Sequence, residues 1–219
     1  MRGPGPRSPA LRSLRKRALA ELYLAELEGH NLPLTALAER LGLPLDACEE
    51  LARELAEEGL LSLEEGPEGT SCELTARGRG AIRVVMTGGV FDVLHVGHLA
   101  TLEAARELGD VLVVVVAKDE TVRRLKGREP LNSEQSRLKL ISALKPVDLA
   151  LLGDPEDFYK TVELVRPDVI ALGYDQRHDE GEIREELARR GLKADVVRLG
   201  VRVEGVKSSR ILAKLMEEF

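Results

Sequence analysis

From residue 82 onward the chain carries five short runs rich in β-branched residues, at 82–86, 111–116, 148–152, 168–172 and 195–198. Helical patterns separate them at 98–108, 133–144, 156–165 and 182–190, and a last one covers 208–217. The clearest run, Val111 to Val116, is apolar without alternation, the mark of a strand covered on both faces. Strands alternating with helices at this spacing return to one sheet in parallel, through right-handed crossovers. The fold class expected is therefore α/β, with a parallel, doubly wound sheet. Ligands of such sheets bind beyond the carboxyl ends of the strands, so the residues that follow each run are where chemistry is sought.

The first third reads differently. Ala, Leu, Glu and Arg recur with helical period over residues 13–28, 34–41 and 45–58, with breaks at 29–33 and 42–44. Two short strands, 60–63 and 71–74, then flank a turn at 66–69. Three helices and a hairpin make a small winged helix-turn-helix. The segment Leu34-Thr35-Ala36-Leu37-Ala38-Glu39-Arg40-Leu41-Gly42 resembles the first half of such a motif. Glu73-Leu74-Thr75-Ala76-Arg77-Gly78-Arg79 resembles the strand and turn that close its wing. The expected organisation is a disordered tail over 1–10, the winged unit over 11–80 and a second domain over 81–219.

Charge argues against DNA as the partner of that unit. Its third helix carries Asp46, Glu49, Glu50, Glu54, Glu57 and Glu58 against a single Arg53, and phosphates would repel it. The whole chain has a net charge of −6. The basic run Arg12, Arg15, Lys16 and Arg17 reads as a solvated helix start, and dimerisation or regulation is the role expected. With 43% apolar and 32% charged residues, and no apolar run near the ~20 residues of a membrane span, the chain is expected to be soluble and cytoplasmic. Cys48 and Cys72 are too few and too isolated for a zinc site or a disulfide framework.

The chemistry concentrates where the first of the five strands ends, in Thr87-Gly88-Gly89-Val90-Phe91-Asp92-Val93-Leu94-His95-Val96-Gly97-His98. The glycines are read as a turn that lets backbone approach a phosphate. The following helix, expected to open on His98, offers N–H groups to negative charge. Two histidines flanking Gly97 at that helix mouth suit nucleotidyl transfer, in which charge grows on the α-phosphate and on the bridging oxygen. Metal ligation by the pair is not expected, since no Cys or third His lies nearby in sequence.

Gly89-Val90-Phe91-Asp92 followed by His95-x-Gly97-His98 resembles the cytidylyltransferase-like branch of the HxGH nucleotidyltransferases, and the similarity extends from Arg83 to Ile211. The resemblance implies a Rossmann-like sheet, catalytic roles for His95, His98 and Lys126, and nucleotide contacts from Gly89, Val90, Phe91, Asp92 and Gly97. It places Lys126, in a loop after the second strand, on the side of the phosphates opposite the histidines. It reads Ser133-Glu134-Gln135-Ser136-Arg137 as a helix start with Arg137 facing the site. Gly173, Asp175 and Gln176 would lie by the base and ribose. Arg202, Ser208 and Ser209 would hold the β- and γ-phosphates. A divalent cation, Mg²⁺ by expectation, would arrive with the nucleotide, and homodimers are the assembly the family often forms.

Ala117 to Arg128, the turn Ala143 to Asp148 and Leu172-Gly173-Tyr174-Asp175-Gln176 together resemble the archaeal FAD synthases, which join ATP to FMN. The runner-up is CTP-dependent transfer to glycerol 3-phosphate or a similar polyol phosphate, because Arg202 to Ile211 resembles the corresponding segment of glycerol-3-phosphate cytidylyltransferase. Two features keep it open. No Cys follows Cys72, and few aromatic residues are available to stack on a flavin. A reading of another class, a winged-helix transcriptional regulator with a nucleotide-sensing domain, would sit best with a lost histidine or lysine, and none is lost.

Overall fold

In this computed structural model, residues 9–67, 69–176, 178–203 and 211 are described. The chain divides into two compact units, Met1–Ile82 and Arg83–Phe219. The expected 208–217 helix lies, apart from residue 211, outside the described residues.

The first unit runs α1 (Pro9–Leu27), β1 (Leu32–Pro33), α2 (Leu34–Leu41), α3 (Leu45–Glu57), β2 (Leu61–Gly66), β3 (Gly69–Leu74) and α4 (Ala76–Arg79). The first helix starts at Pro9, inside the stretch expected to be tail. Pro33 and Pro44, with φ near −60°, stand immediately before α2 and α3 and start both helices sharply. The three strands form an antiparallel sheet in the order β1-β3-β2, with Leu61 facing Leu74 and Gly66 facing Gly69 across the wing. Arg15, read from sequence as one of a solvated run, is buried instead and donates to Glu54 of α3 and to Glu58 at its C-cap. Two carboxylates of that helix and its cap are thus spent on holding the unit together.

The second unit continues with β4 (Val84–Gly89), α5 (Val96–Arg106), β5 (Val111–Val116), α6 (Asp119–Lys126), α7 (Glu134–Ser142), β6 (Leu149–Leu152), α8 (Phe158–Val165), β7 (Val169–Leu172), α9 (Glu180–Arg189) and β8 (Asp195–Arg198). All five strands are parallel, in the order β6-β5-β4-β7-β8. From β4 the chain moves outward to β5 and β6, then returns to the other side of β4 for β7 and β8. The reversal puts the topological switch between β4 and β7, and a ligand crevice is expected beyond their carboxyl ends.

The core sits on β5, where Val111, Leu112, Val113, Val114 and Val116 are all fully buried. Each contributes about 1.5–3 kcal/mol relative to leaving it exposed. Leu102 and Ala105 of α5 and Ile141 of α7 pack onto this layer. Contrary to expectation, Gly88 and Gly89 form no turn. They extend β4 and pair with Val115 and Val116, so the strand runs further toward the site than its apolar residues suggest. Among the described residues no helix is long and apolar enough to cross a membrane.

Candidate active site

β4 delivers the chain to a sharp loop whose geometry rests on two residues. A Cβ on Gly89 would lie 2.8 Å from the Phe91 ring, so glycine is what lets that ring fold back over the strand end. Phe91 adopts φ 54°, a conformation strained for a side chain of this size, and is buried in the core rather than offered to a ligand. It meets His98 edge-on, with ring centroids 5.4 Å apart. Phe91, expected among the nucleotide contacts, thus seats a histidine.

α5 opens at Val96, earlier than expected, with His95 at its N-cap and Gly97 and His98 in its first turn. The N–H groups of a first helical turn have no intrahelical acceptors and attract anions. Val90 and Gly97 are half-buried in the same loop and turn. The His95 and His98 rings stack with centroids 3.9 Å apart. Both Nδ1 atoms are buried, and neither has a hydrogen-bond partner among the described residues. A buried polar group left unbonded costs about 1–3 kcal/mol. Burial pushes His98 from 6.5 down to about 4, an effect strengthened by His95, opposed by Asp175 and strengthened again by Lys126. Burial also lowers His95, against the pull of Asp175. Both rings are therefore neutral at pH 7.

Lys126 is not in a loop: it ends α6, a charged helix closed by Gly127 at φ 64°. Its ammonium is lowered by burial and by Arg128, raised by Asp92, lowered by Arg137 and raised by Asp175. Lys126 thus enters the electrostatic neighbourhood of the histidine loop from a separate element.

Two residues expected to touch nucleotide serve the scaffold instead. The Arg137 guanidinium is wholly buried. It donates to the carbonyls of Asn132 (3.0 Å), Val90 (2.7 Å) and Ala117 (2.7 Å) and to the Asp119 carboxylate (2.6 Å). Four contacts engage all three of its nitrogens and tie the histidine loop to the end of β5. Asp92, 4% exposed, accepts from the N–H groups of Leu131 and Asn132 and from Arg128. Its oxygens anchor the loop between α6 and α7.

The other bank of the crevice is the loop after β7. Gln176 donates to the Gly88 carbonyl (2.6 Å) and accepts from the Gly173 N–H (3.1 Å), which stitches this loop to β4 across the switch. Its amide is used within the protein, and Gly173 is buried beneath it. Asp175 is exposed and is the carboxylate whose charge reaches His95, His98 and Lys126. Arg198, at the end of β8, holds the loop by donating to the carbonyls of Gly173, Gln176 and His178 and to the Glu180 carboxylate. Sequence reasoning passed over Arg198, because partners that are backbone carbonyls leave no pattern in residue types. Arg202 is exposed, and Ser208 and Ser209 lie outside the described residues.

The structure thus brings His95, His98, Lys126 and Asp175 together around the helix mouth. Comparison with known proteins places the same region in a family. The cytidylyltransferase-like family matches residues 86–214. The FAD synthase of Aciduliprofundum boonei is 59% identical over 115 residues, 52% of this chain and 76% of that protein. The FAD synthase of Ferroglobus placidus is 45% identical over 137 residues, 62% of this chain and 89% of that protein. A crystal structure of the lipopolysaccharide core biosynthesis protein from Thermoplasma volcanium GSS1 is similar with a TM-score of 0.54 and 48% identity, covering 56% of this chain and 99% of that one.

Proposed function

The chain belongs to the cytidylyltransferase-like family of nucleotidyltransferases, and from its likeness to the archaeal FAD synthases we propose that it transfers AMP from ATP to FMN. An oxygen of the FMN phosphate attacks the α-phosphorus, the bond to the β-phosphate oxygen breaks, and FAD and pyrophosphate leave. The observation that carries this reading is the stacked pair of neutral, half-buried imidazoles at the start of α5, with two ring nitrogens unbonded among the described residues. Fixed imidazole N–H donors and helix N–H groups aimed at phosphate stabilise the charge that grows on the α-phosphate. Lys126 adds positive charge from α6. Partial desolvation strengthens each of these interactions relative to water.

Among the described residues no cluster of three or more His, Cys, Asp or Glu is arranged to hold a metal. A cation carried by the triphosphate asks for less, because Mg²⁺ is satisfied by one or two carboxylates beside phosphate oxygens and water. Asp175, exposed at the same mouth, would supply one such carboxylate. When bound, the cation would neutralise phosphate charge.

The first unit is read as a separate domain that serves regulation or self-association. The exposed Asp46, Glu49, Glu50 and Glu57 of α3 argue against its entering a DNA groove. The test of the catalytic reading is to supply FMN or glycerol 3-phosphate, each with ATP or CTP, and follow pyrophosphate release. Release with FMN and ATP, matched by FAD, is expected. Release only with CTP and glycerol 3-phosphate would overturn the reading.

A further inference from the structure

We propose that Phe158 and His178 form the seat for the planar ring of the acceptor, a proposal that rests on the FMN reading and names the part of the site that recognises the flavin. Phe158 opens α8 just beyond β6, and His178 stands just beyond β7, so both lie at the carboxyl edge of the sheet. His178 follows Asp175, whose charge reaches the catalytic histidines, by three residues. The two rings are near parallel, with an interplanar angle of 23° and centroids 6.1 Å apart. A flat ring lying between two others needs about 7 Å, two van der Waals spacings of ~3.5 Å. His178 is exposed and has room to yield that difference, while Phe158 is half-buried.

The Phe158 ring is braced from behind, and His178 is fixed through its backbone. Tyr159 meets Phe158 edge-on at 5.3 Å. Arg190 lies 4.9 Å over the Tyr159 ring and pairs with Asp157, Glu163 and Glu186, which fixes the start of α8 against α9. Arg198 donates to the His178 carbonyl at 2.7 Å and to two further carbonyls of the same loop. With the Phe158 wall and the His178 backbone fixed in advance, only the exposed His178 ring has to move to admit a rigid ring, which keeps the ordering cost small. The isoalloxazine ring is large and flat, with broad π faces of the kind that aromatic side chains stack against. Phe91 cannot serve, because it is buried under the histidine loop, and Phe219 lies outside the described residues.

The experiment measures KM for FMN and for ATP separately, together with quenching of FMN fluorescence on binding, for wild type, Phe158→Ala, Phe158→Leu, Phe158→Trp and His178→Ala. Loss of the Phe158 ring is expected to raise KM for FMN about tenfold, with KM for ATP and kcat within about twofold. Phe158→Leu keeps apolar volume and guards against a folding defect. It should behave like Phe158→Ala, whereas Phe158→Trp should restore binding and quenching. His178→Ala should give a smaller rise in the same direction. An unchanged KM for FMN while FAD still forms, or a rise confined to ATP, would overturn the proposal and leave the FMN reading standing. If wild type makes no FAD, that reading falls by itself. The fluorescence titration then still decides the seat, since quenching that persists in Phe158→Ala, or is absent in wild type, rules it out.

Discussion

The two edges of the parallel sheet treat their polar groups in opposite ways. At the amino edge, the Asp168 carboxylate accepts from the N–H of Val84, Asp110 from that of Arg83, and Asp148 from that of Leu112. A cleft of about 410 Å³ opens at this edge, yet Arg83 on its wall is paired with Asp195, and Arg184 holds Glu180 and the Val196 carbonyl. At the carboxyl edge, two buried imidazole nitrogens have no partner among the described residues, and His98 and Lys126 are both shifted toward neutrality. The lesson is that a hydrogen-bonded charge marks structure here, while a polar group left wanting marks the place where a ligand is needed. A cleft by itself marks neither.

Arg137 is the severest check on that contrast, since it lies at the carboxyl edge but is fully bonded. Arg137→Leu leaves the Asp119 carboxylate and the carbonyls of Val90, Ala117 and Asn132 without their donor, and should cost about 3–5 kcal/mol of stability in denaturant unfolding. A variant as stable as wild type that merely binds ATP poorly would return Arg137 to the nucleotide. His98→Ala should do the reverse. It should lower turnover by about a hundredfold or more while the fold survives, and near wild-type turnover would break the catalytic assignment.

At the amino edge, Asp168→Ala removes the acceptor of the Val84 N–H and should cost about 1–3 kcal/mol, with turnover per folded molecule unchanged. A further effect is in pH. His98 is held neutral, with a folded value of about 4 against an ordinary 6.5. As pH falls, the unfolded chain takes up the proton first, so stability is complete above about 6.5 and declines toward about 4. His98→Ala should lose less stability than wild type across that window.

Much of this was legible in the residues. Strand β5 at 111–116, strand β8 at 195–198 and helix α2 at 34–41 lie where their apolar patterns place them. Helix α6 was hidden because Asp119, Glu120, Arg123, Arg124 and Lys126 leave it only Val122 buried, so it shows almost no core-facing stripe. β1 and α4, of two and four residues, are too short to display a period. At the site, His95 and His98 stood out because their type and spacing are uncommon. The duty of Arg137 did not, because it is set by carbonyls 20 and 47 residues away, and residue type says nothing of where a side chain points. Arg198 was hidden for the same reason.

The most direct test is the titration of His98 followed by imidazole NMR, with and without ATP. If the nucleotide phosphates lie against the two stacked rings, the midpoint near 4 in the free protein should move upward when ATP is bound, because adjacent negative charge favours the imidazolium. By linkage, ATP should then bind more tightly as pH falls through that range. A His98 midpoint that stays the same with ATP saturating its site would place the phosphates elsewhere and contradict the account.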